Sequence, residues 1–119
     1  MPDSPQDVHK KLLGKKGEKL AVAYVKKQGM RVLKTNYRTP FGEADIIAQD
    51  KDELVFIEVK ARTSTSYGTP REAVGKQKQQ RYYKIAQFFA MQRGEEPNAR
   101  FDVAEMDEAY QIYYYKNAF

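Results

Sequence analysis

The stretch GEADIIAQDKDELVFIEVKA, residues 42–61, decides the fold. Residues 43–49 and 54–61 each carry an apolar centre, Ile46 and Ile47 in the first and Leu54 to Ile57 in the second, and the polar turn 50–53 separates them. That pattern predicts an antiparallel hairpin. A two-residue loop at Lys51 and Asp52 pairs Asp50 with Glu53, and a four-residue loop pairs Gln49 with Leu54, which is the same register. One face then carries Ala44 opposite Val59, Ile46 opposite Ile57 and Ala48 opposite Val55, all apolar, so it packs into a core. The other carries Gln49 with Leu54, Ile47 with Phe56, Asp45 with Glu58 and Glu43 with Lys60. It is apolar in the middle and charged at one end.

The charged end carries the chemistry. Directly opposed residues have Cβ atoms roughly 4.5–5.5 Å apart, and two carboxylates at that distance repel unless a cation lies between them. Asp45 and Glu58 are therefore expected to hold a hard divalent cation, Mg²⁺ or Mn²⁺. Lys60 follows on the same face, roughly 6.6 Å along the strand, where it could orient an attacking water. Metal, water and ammonium are the requirements of phosphodiester hydrolysis. The plainer alternative is a solvated strand end with Glu58–Lys60 and Glu43–Lys60 ion pairs.

Working outward, residues 14–28 place Gly17, Leu20, Ala21, Tyr24 and Val25 on one stripe, which predicts an amphipathic helix ended by Gly29. Residues 31–37 read as a strand broken by Pro40 and Gly42. After a Ser/Thr/Gly-rich loop at 62–70, residues 71–93 read as a long helix with Val74, Tyr82, Ile85, Ala86 and Phe89 facing inward. Two short strands, 100–105 and 111–115, complete an α-β-β-β-α-β-β order. Tyr113, Tyr114 and Tyr115 are expected to alternate between buried and exposed. Residues 1–13 read as a flexible N-terminal tail, and 14–119 as one α/β domain with a mixed central sheet flanked by helices.

Composition narrows the classes. With 119 residues, 41 % of them hydrophobic, a single modest core is expected. The longest apolar run is six residues, 20–25, too short to cross a membrane. No signal-peptide pattern follows Met1, so a cytoplasmic protein is expected. The absence of cysteine excludes disulfides, thiolate zinc sites and cysteine nucleophiles. The net charge of +5 resolves into +7 over residues 1–42, −4 over 43–61, +6 over 62–94 and −4 over 95–119. Two basic blocks around an acidic hairpin suit a polyanion, although a solvated mixed-charge surface would look the same. Lys76, Lys78, Arg81 and Lys84 are candidate phosphate contacts, and Tyr67 is a candidate base-stacking ring. A Gln79-x-x-x-Tyr83 spacing is a further, weaker candidate.

Gly42-Glu43-Ala44-Asp45-Ile46-Ile47-Ala48 followed by Phe56-Ile57-Glu58-Val59-Lys60 resembles the metal-binding hairpin of the PD-(D/E)xK nuclease superfamily, the restriction-endonuclease-like fold. With Gly17-Glu18, Asn36-Tyr37-Arg38, Arg62, Tyr67-Gly68, Val74 with Lys78, Arg100-Phe101-Asp102-Val103 and Lys116-Asn117-Ala118-Phe119, the chain is more closely similar to the YraN-like family of uncharacterised bacterial proteins, over residues 14–119. The resemblance implies an αβββαβ core related to archaeal Holliday-junction resolvases. It implies a metal held by Asp45, Glu58 and the Val59 carbonyl, completed by Glu18 of the first helix, with Lys60 as the catalytic lysine. Arg38, Arg62, Tyr67, Lys76, Lys78 and Arg81 would bind nucleic acid. Ala44 departs from the proline of the superfamily's name. The activity implied is a Mg²⁺- or Mn²⁺-dependent endonuclease on branched or structured DNA. Resolvase-like relatives work as dimers, so a homodimer is one expected assembly. A module of the same fold that binds nucleic acid without cutting it, and a protein-interaction domain, are the alternatives.

Overall fold

A strand buried on both faces must be covered on both sides. Residues Glu53–Ala61 form such a strand, β3, in which every side chain from Leu54 to Val59 is buried. The computed structural model describes the backbone of residues 5–62, 74–96 and 98–119, and the side chains from Gly14 onward within them. β3 is the middle of a five-stranded sheet, whose order is that of the chain. β1 is Arg31–Thr39 and β2 is Gly42–Asp50; β4 is Ala99–Met106 and β5 is Ile112–Tyr115. Three neighbouring pairs are antiparallel, and β3 pairs with β4 in parallel. A parallel pair needs a crossover, which runs through helix α2, Lys76–Gln92. Helix α1, Pro5–Lys27, precedes β1. The expected α-β-β-β-α-β-β order stands.

Each helix covers one face of the sheet. α1 lays Ala21 and Val25 on Ile46, Ala48, Val55, Ile57, Val59, Ala104 and Met106. α2 lays Tyr82, Ile85, Ala86, Phe89 and Ala90 on Ala44, Ile47, Leu54, Phe56 and Val103, with Val74 and Phe119 closing the cluster. The inward stripe expected for the second helix is thus the one observed. Burial of a Val, Leu, Ile or Phe side chain stabilises by roughly 1.5–3 kcal/mol, so Leu54, Val55, Phe56 and Ile57 make β3 the strand most costly to disturb.

The register of the central hairpin is as expected from Ile46↔Ile57 to Asp50↔Glu53, around a turn in which Lys51 takes φ 57°. Beyond Ile46 the ladder stops. Asp45 Oδ2 accepts the Val59 N–H at 2.8 Å, a hydrogen bond of a kind that competes with strand pairing. The strand also changes facing here. Ala44, expected beside Ile46, packs on the α2 side with Ile47, and Asp45 lines a cavity on the α1 side. Across from them on β1, Asn36 adopts φ 49°. The Asp45/Glu58 pair is therefore not a regular cross-strand pair.

The backbone is helical from Pro5, and a non-helical Gly14 at φ 58° and ψ −166° separates this first stretch from the segment that packs on the sheet. Lys, Leu and Gln over 6–13 are good helix formers, which apolar periodicity alone does not register. Tyr113, Tyr114 and Tyr115 do not alternate between buried and exposed; all three are half-buried. Arg62 lies over the Tyr113 ring at 3.8 Å, Tyr24 stacks on Tyr114, and Tyr115 packs on the α2 cluster.

Candidate active site

The end of the β2–β3 ladder is where charge gathers inside the fold. Asp45 and Glu58 are 5 % and 1 % exposed, and buried carboxylates need partners. Glu58 Oε2 accepts the Tyr82 hydroxyl at 2.6 Å, and Glu58 Oε1 pairs with Lys78 Nζ at 2.5 Å. The Tyr82 oxygen is also 3.5 Å from the Asp45 N–H, so one phenol bridges the neighbourhoods of both carboxylates. Lys78 and Tyr82 are four apart on α2, hence on one face, and that face lies against Glu58. Burial pushes the Tyr82 phenol well above its usual range, and the charges of Glu58 and Asp45 add to the effect.

Lys60 is half-buried at the same end of β3. Burial lowers its ammonium below the ordinary range; Glu105 and Glu58 pull it back up, and Lys78 opposes them. Glu105 is its register partner across the parallel ladder. The site therefore alternates cation and anion from α2 through β3 to β4.

On the α1 side a cavity of about 330 Å³ opens beside Asp45. Val22, Ala23, Ile46 and Val59 give it apolar walls; Glu18, Lys19, Lys26 and Asn36 give it polar edges. Glu18 thus shares a cavity with Asp45 but remains solvent-exposed on α1. Among the described residues, no group of three or more acidic or histidine side chains is close enough to hold a metal ion together. Asp45 and Val59 line this cavity with Glu18, and Glu58 is held on the α2 side by Lys78 and Tyr82.

The residues expected to bind nucleic acid divide. Lys76 and Arg81 face solvent on α2. Arg38 is exposed and lies 3.6 Å from Glu43. Arg62 is half-buried on Tyr113. Lys78 is turned inward onto Glu58, because inward-facing Tyr82 follows it by one helical turn. Tyr67 lies outside the described residues. Gln79 is buried and donates to the Val74 carbonyl at 2.8 Å, and Tyr83 packs edge-on against Phe101. Gln79 and Tyr83 thus also pack against the fold, and Lys78 and Tyr82, with the same i, i+4 spacing, both contact Glu58. The i, i+4 spacing was visible in the sequence; that it meets Glu58 was not.

Comparison with known proteins finds relatives that match most of the chain. A protein of Syntrophus aciditrophicus is 48 % identical over 110 residues, covering 89 % of this chain and 87 % of its own. One of Alkaliphilus metalliredigens is 46 % identical over 112 residues, covering 92 % of this chain and 98 % of its own. A third, of Thermodesulfovibrio yellowstonii, is 44 % identical over 107 residues, covering 90 % and 95 %. All three are named only as UPF0102 proteins. The model of Uncharacterised protein family UPF0102 matches residues 17–106, a span that holds Glu18, the whole hairpin, α2 and β4. The chain belongs to the uncharacterised protein family UPF0102.

Proposed function

We propose that this protein is a restriction-endonuclease-like, metal-dependent endonuclease that hydrolyses DNA phosphodiester bonds, with branched or structured DNA as its substrate class. One observation carries the reading: two buried carboxylates from adjacent strands flank the point where the β2–β3 ladder ends, with a half-buried lysine two residues on. Mg²⁺ keeps several waters and is commonly held by one or two protein carboxylates, so the donor set Asp45, Glu58 and the Val59 carbonyl fits it by chemistry. Bound there, the ion would supply a Lewis acid and a water of lowered pKa. The chain's own residues do the rest. Asp45 is anchored through Oδ2 on the Val59 amide. Tyr82 fixes Glu58 by donating to it. Lys60, half-buried two residues beyond Glu58 with its ammonium destabilised by burial, would orient a water and stabilise phosphoryl charge. Arg38, Arg62, Lys76 and Arg81 would receive the phosphate backbone.

A second reading keeps the fold and removes the chemistry. Lys78 already neutralises Glu58, as expected of a nucleic-acid-binding module that needs no metal. One experiment separates the two. Purified protein is incubated with Mg²⁺ or Mn²⁺ and a panel of duplex, flap and four-way-junction DNA, alongside Asp45→Asn and Glu58→Gln. Divalent-dependent cleavage lost in both variants is the expected result. Cleavage that persists in the variants removes the site assignment, and salt-sensitive binding with no product favours the binding module.

A further inference from the structure

α2 has an unusual composition for an exposed helix: its 17 residues include four basic side chains and no acidic one. Lys78 turns inward, which leaves Lys76, Arg81 and Lys84 exposed. With Gln77 and Gln80 they line a shallow open depression. Surfaces of small domains normally mix both signs, so a helix face with cations, amides and no carboxylate is adapted to an anion.

An aromatic group stands at its edge. The β1–β2 hairpin turns through Pro40 and Phe41, and Thr39 braces the turn by accepting the Phe41 N–H at 3.0 Å and donating to the Gly42 carbonyl at 2.9 Å. Gly42 sits against α2 at φ 132°, and a Cβ there would lie 3.6 Å from Arg81 Cδ. The turn therefore rests on the helix, with Phe41 41 % exposed beside it. Its ring meets Phe88 edge-on at 6.2 Å, and Lys84 Nζ lies 5.9 Å from its centroid. Met91, also on α2, is 69 % exposed. Among the described residues Phe41 and Met91 are the large hydrophobic side chains most open to water.

We propose that this hairpin tip and the outward face of α2 form a seat for an unpaired nucleic-acid strand, with Phe41 stacking on a base and Lys76, Arg81 and Lys84 contacting phosphates. A cationic track with one braced aromatic platform is the arrangement that binds single strands without reading sequence. Duplex bases are stacked on one another and offer no free face to Phe41, so the seat selects an unpaired segment such as that beside a branch point. The inference deepens the nuclease reading by naming the part of the substrate held, but the seat uses none of the carboxylate residues.

The test is fluorescence anisotropy with a labelled oligothymidylate of about 15 nucleotides, a hairpin duplex and a polyglutamate peptide. Phe41→Ala is expected to weaken oligothymidylate binding about tenfold or more and to change duplex binding by less than about twofold. Phe41→Leu keeps the apolar volume and should lose a similar factor if stacking is the cause. Arg81→Gln with Lys84→Gln should lower the salt slope of single-strand binding by about 1 to 1.5. Circular dichroism confirms the fold of each variant. Wild-type affinity in both folded Phe41 variants overturns the seat, and polyglutamate binding as tight as oligothymidylate reassigns it to acidic peptides. Phe41-dependent binding without cleavage by the wild-type protein defeats the nuclease reading and keeps the seat. Cleavage indifferent to Phe41 does the reverse.

Discussion

Asp102 and Glu58 are both almost wholly removed from water, at 0 % and 1 % exposure, yet they are buried in different ways. Asp102 lies in a closed network. Its carboxylate receives Arg100 Nε at 3.0 Å, the Tyr114 hydroxyl at 2.6 Å and the Asn117 N–H at 3.0 Å. Arg100 goes on to Asp50 at 2.9 Å. Burial works against the Arg100 charge, but the hydrogen bonds to Asp102 and Asp50 outweigh it and hold the guanidinium firmly cationic. The network joins β4, the hairpin turn and the C-terminal segment, and every link serves the fold. Glu58 instead shares its end of the sheet with Asp45, which borders a cavity, and its cationic partner Lys78 keeps a fifth of its side chain in water. Burial of charge is common to both; an opening beside it marks only one as a candidate for chemistry.

The largest expected effect tests the closed side. Asp102→Ala strips Arg100, Tyr114 and the Asn117 amide of a shared acceptor and leaves a buried guanidinium underpaired, which should cost about 3–5 kcal/mol. Urea unfolding would measure it. A loss below about 1 kcal/mol would mean that the network is not structural.

Next comes the open side. Glu58→Gln keeps the shape and an acceptor for Tyr82, and Lys78 can swing into water, so stability should fall by no more than about 1.5 kcal/mol. Under the proposed nuclease reading Glu58 would be a metal ligand, and divalent-dependent cleavage should then fall at least about 100-fold. The contrast is the informative result: the closed carboxylate governs folding, and the open one governs activity with little cost to the fold. A stability loss at Glu58→Gln as large as that at Asp102→Ala would erase the distinction.

A smaller effect concerns pH. Burial, then the hydrogen bond to Asp102 and its charge, raises the Tyr114 phenol well above the ordinary tyrosine range. A folded-state pKa above the unfolded value contributes stability that is complete below about pH 10 and declines as pH rises past it. Stability measured between about pH 8 and 11 should therefore fall less steeply in Tyr114→Phe than in the wild type. Equal slopes would mean that the phenol does not hold its proton more tightly in the folded state.

These contrasts also explain what could be read in advance. The hairpin register from Ile46 to Asp50 follows from strict alternation and a two-residue turn, both local properties. Its failure at Asp45 was not legible, because a side chain that takes a backbone donor 14 residues away leaves no periodic trace. Likewise the inner stripe of α2 follows from helical spacing, but its meeting with Glu58 depends on how the crossover lays the helix on the sheet. Arg100 and Asp102 were visible only as part of a resemblance, since their role needs Asp50, which is 50 residues away in the chain.

The smallest effect lies where charge is exposed. Arg38 and Glu43 approach to 3.6 Å with 88 % and 38 % of their side chains accessible, which leaves the pair in high dielectric and open to salt. Such pairs contribute 0 to about 1 kcal/mol, so Arg38→Gln should shift unfolding by no more than about 0.5 kcal/mol. If Arg38 instead serves a phosphate, the same variant should lower the salt slope of DNA binding by about 0.7–0.9, whatever the sequence of the probe. Unchanged stability with a lower slope would place Arg38 on the substrate path. A shift of 1.5 kcal/mol or more, on the order of a buried pair, with no change in slope would assign it to holding the hairpin end together.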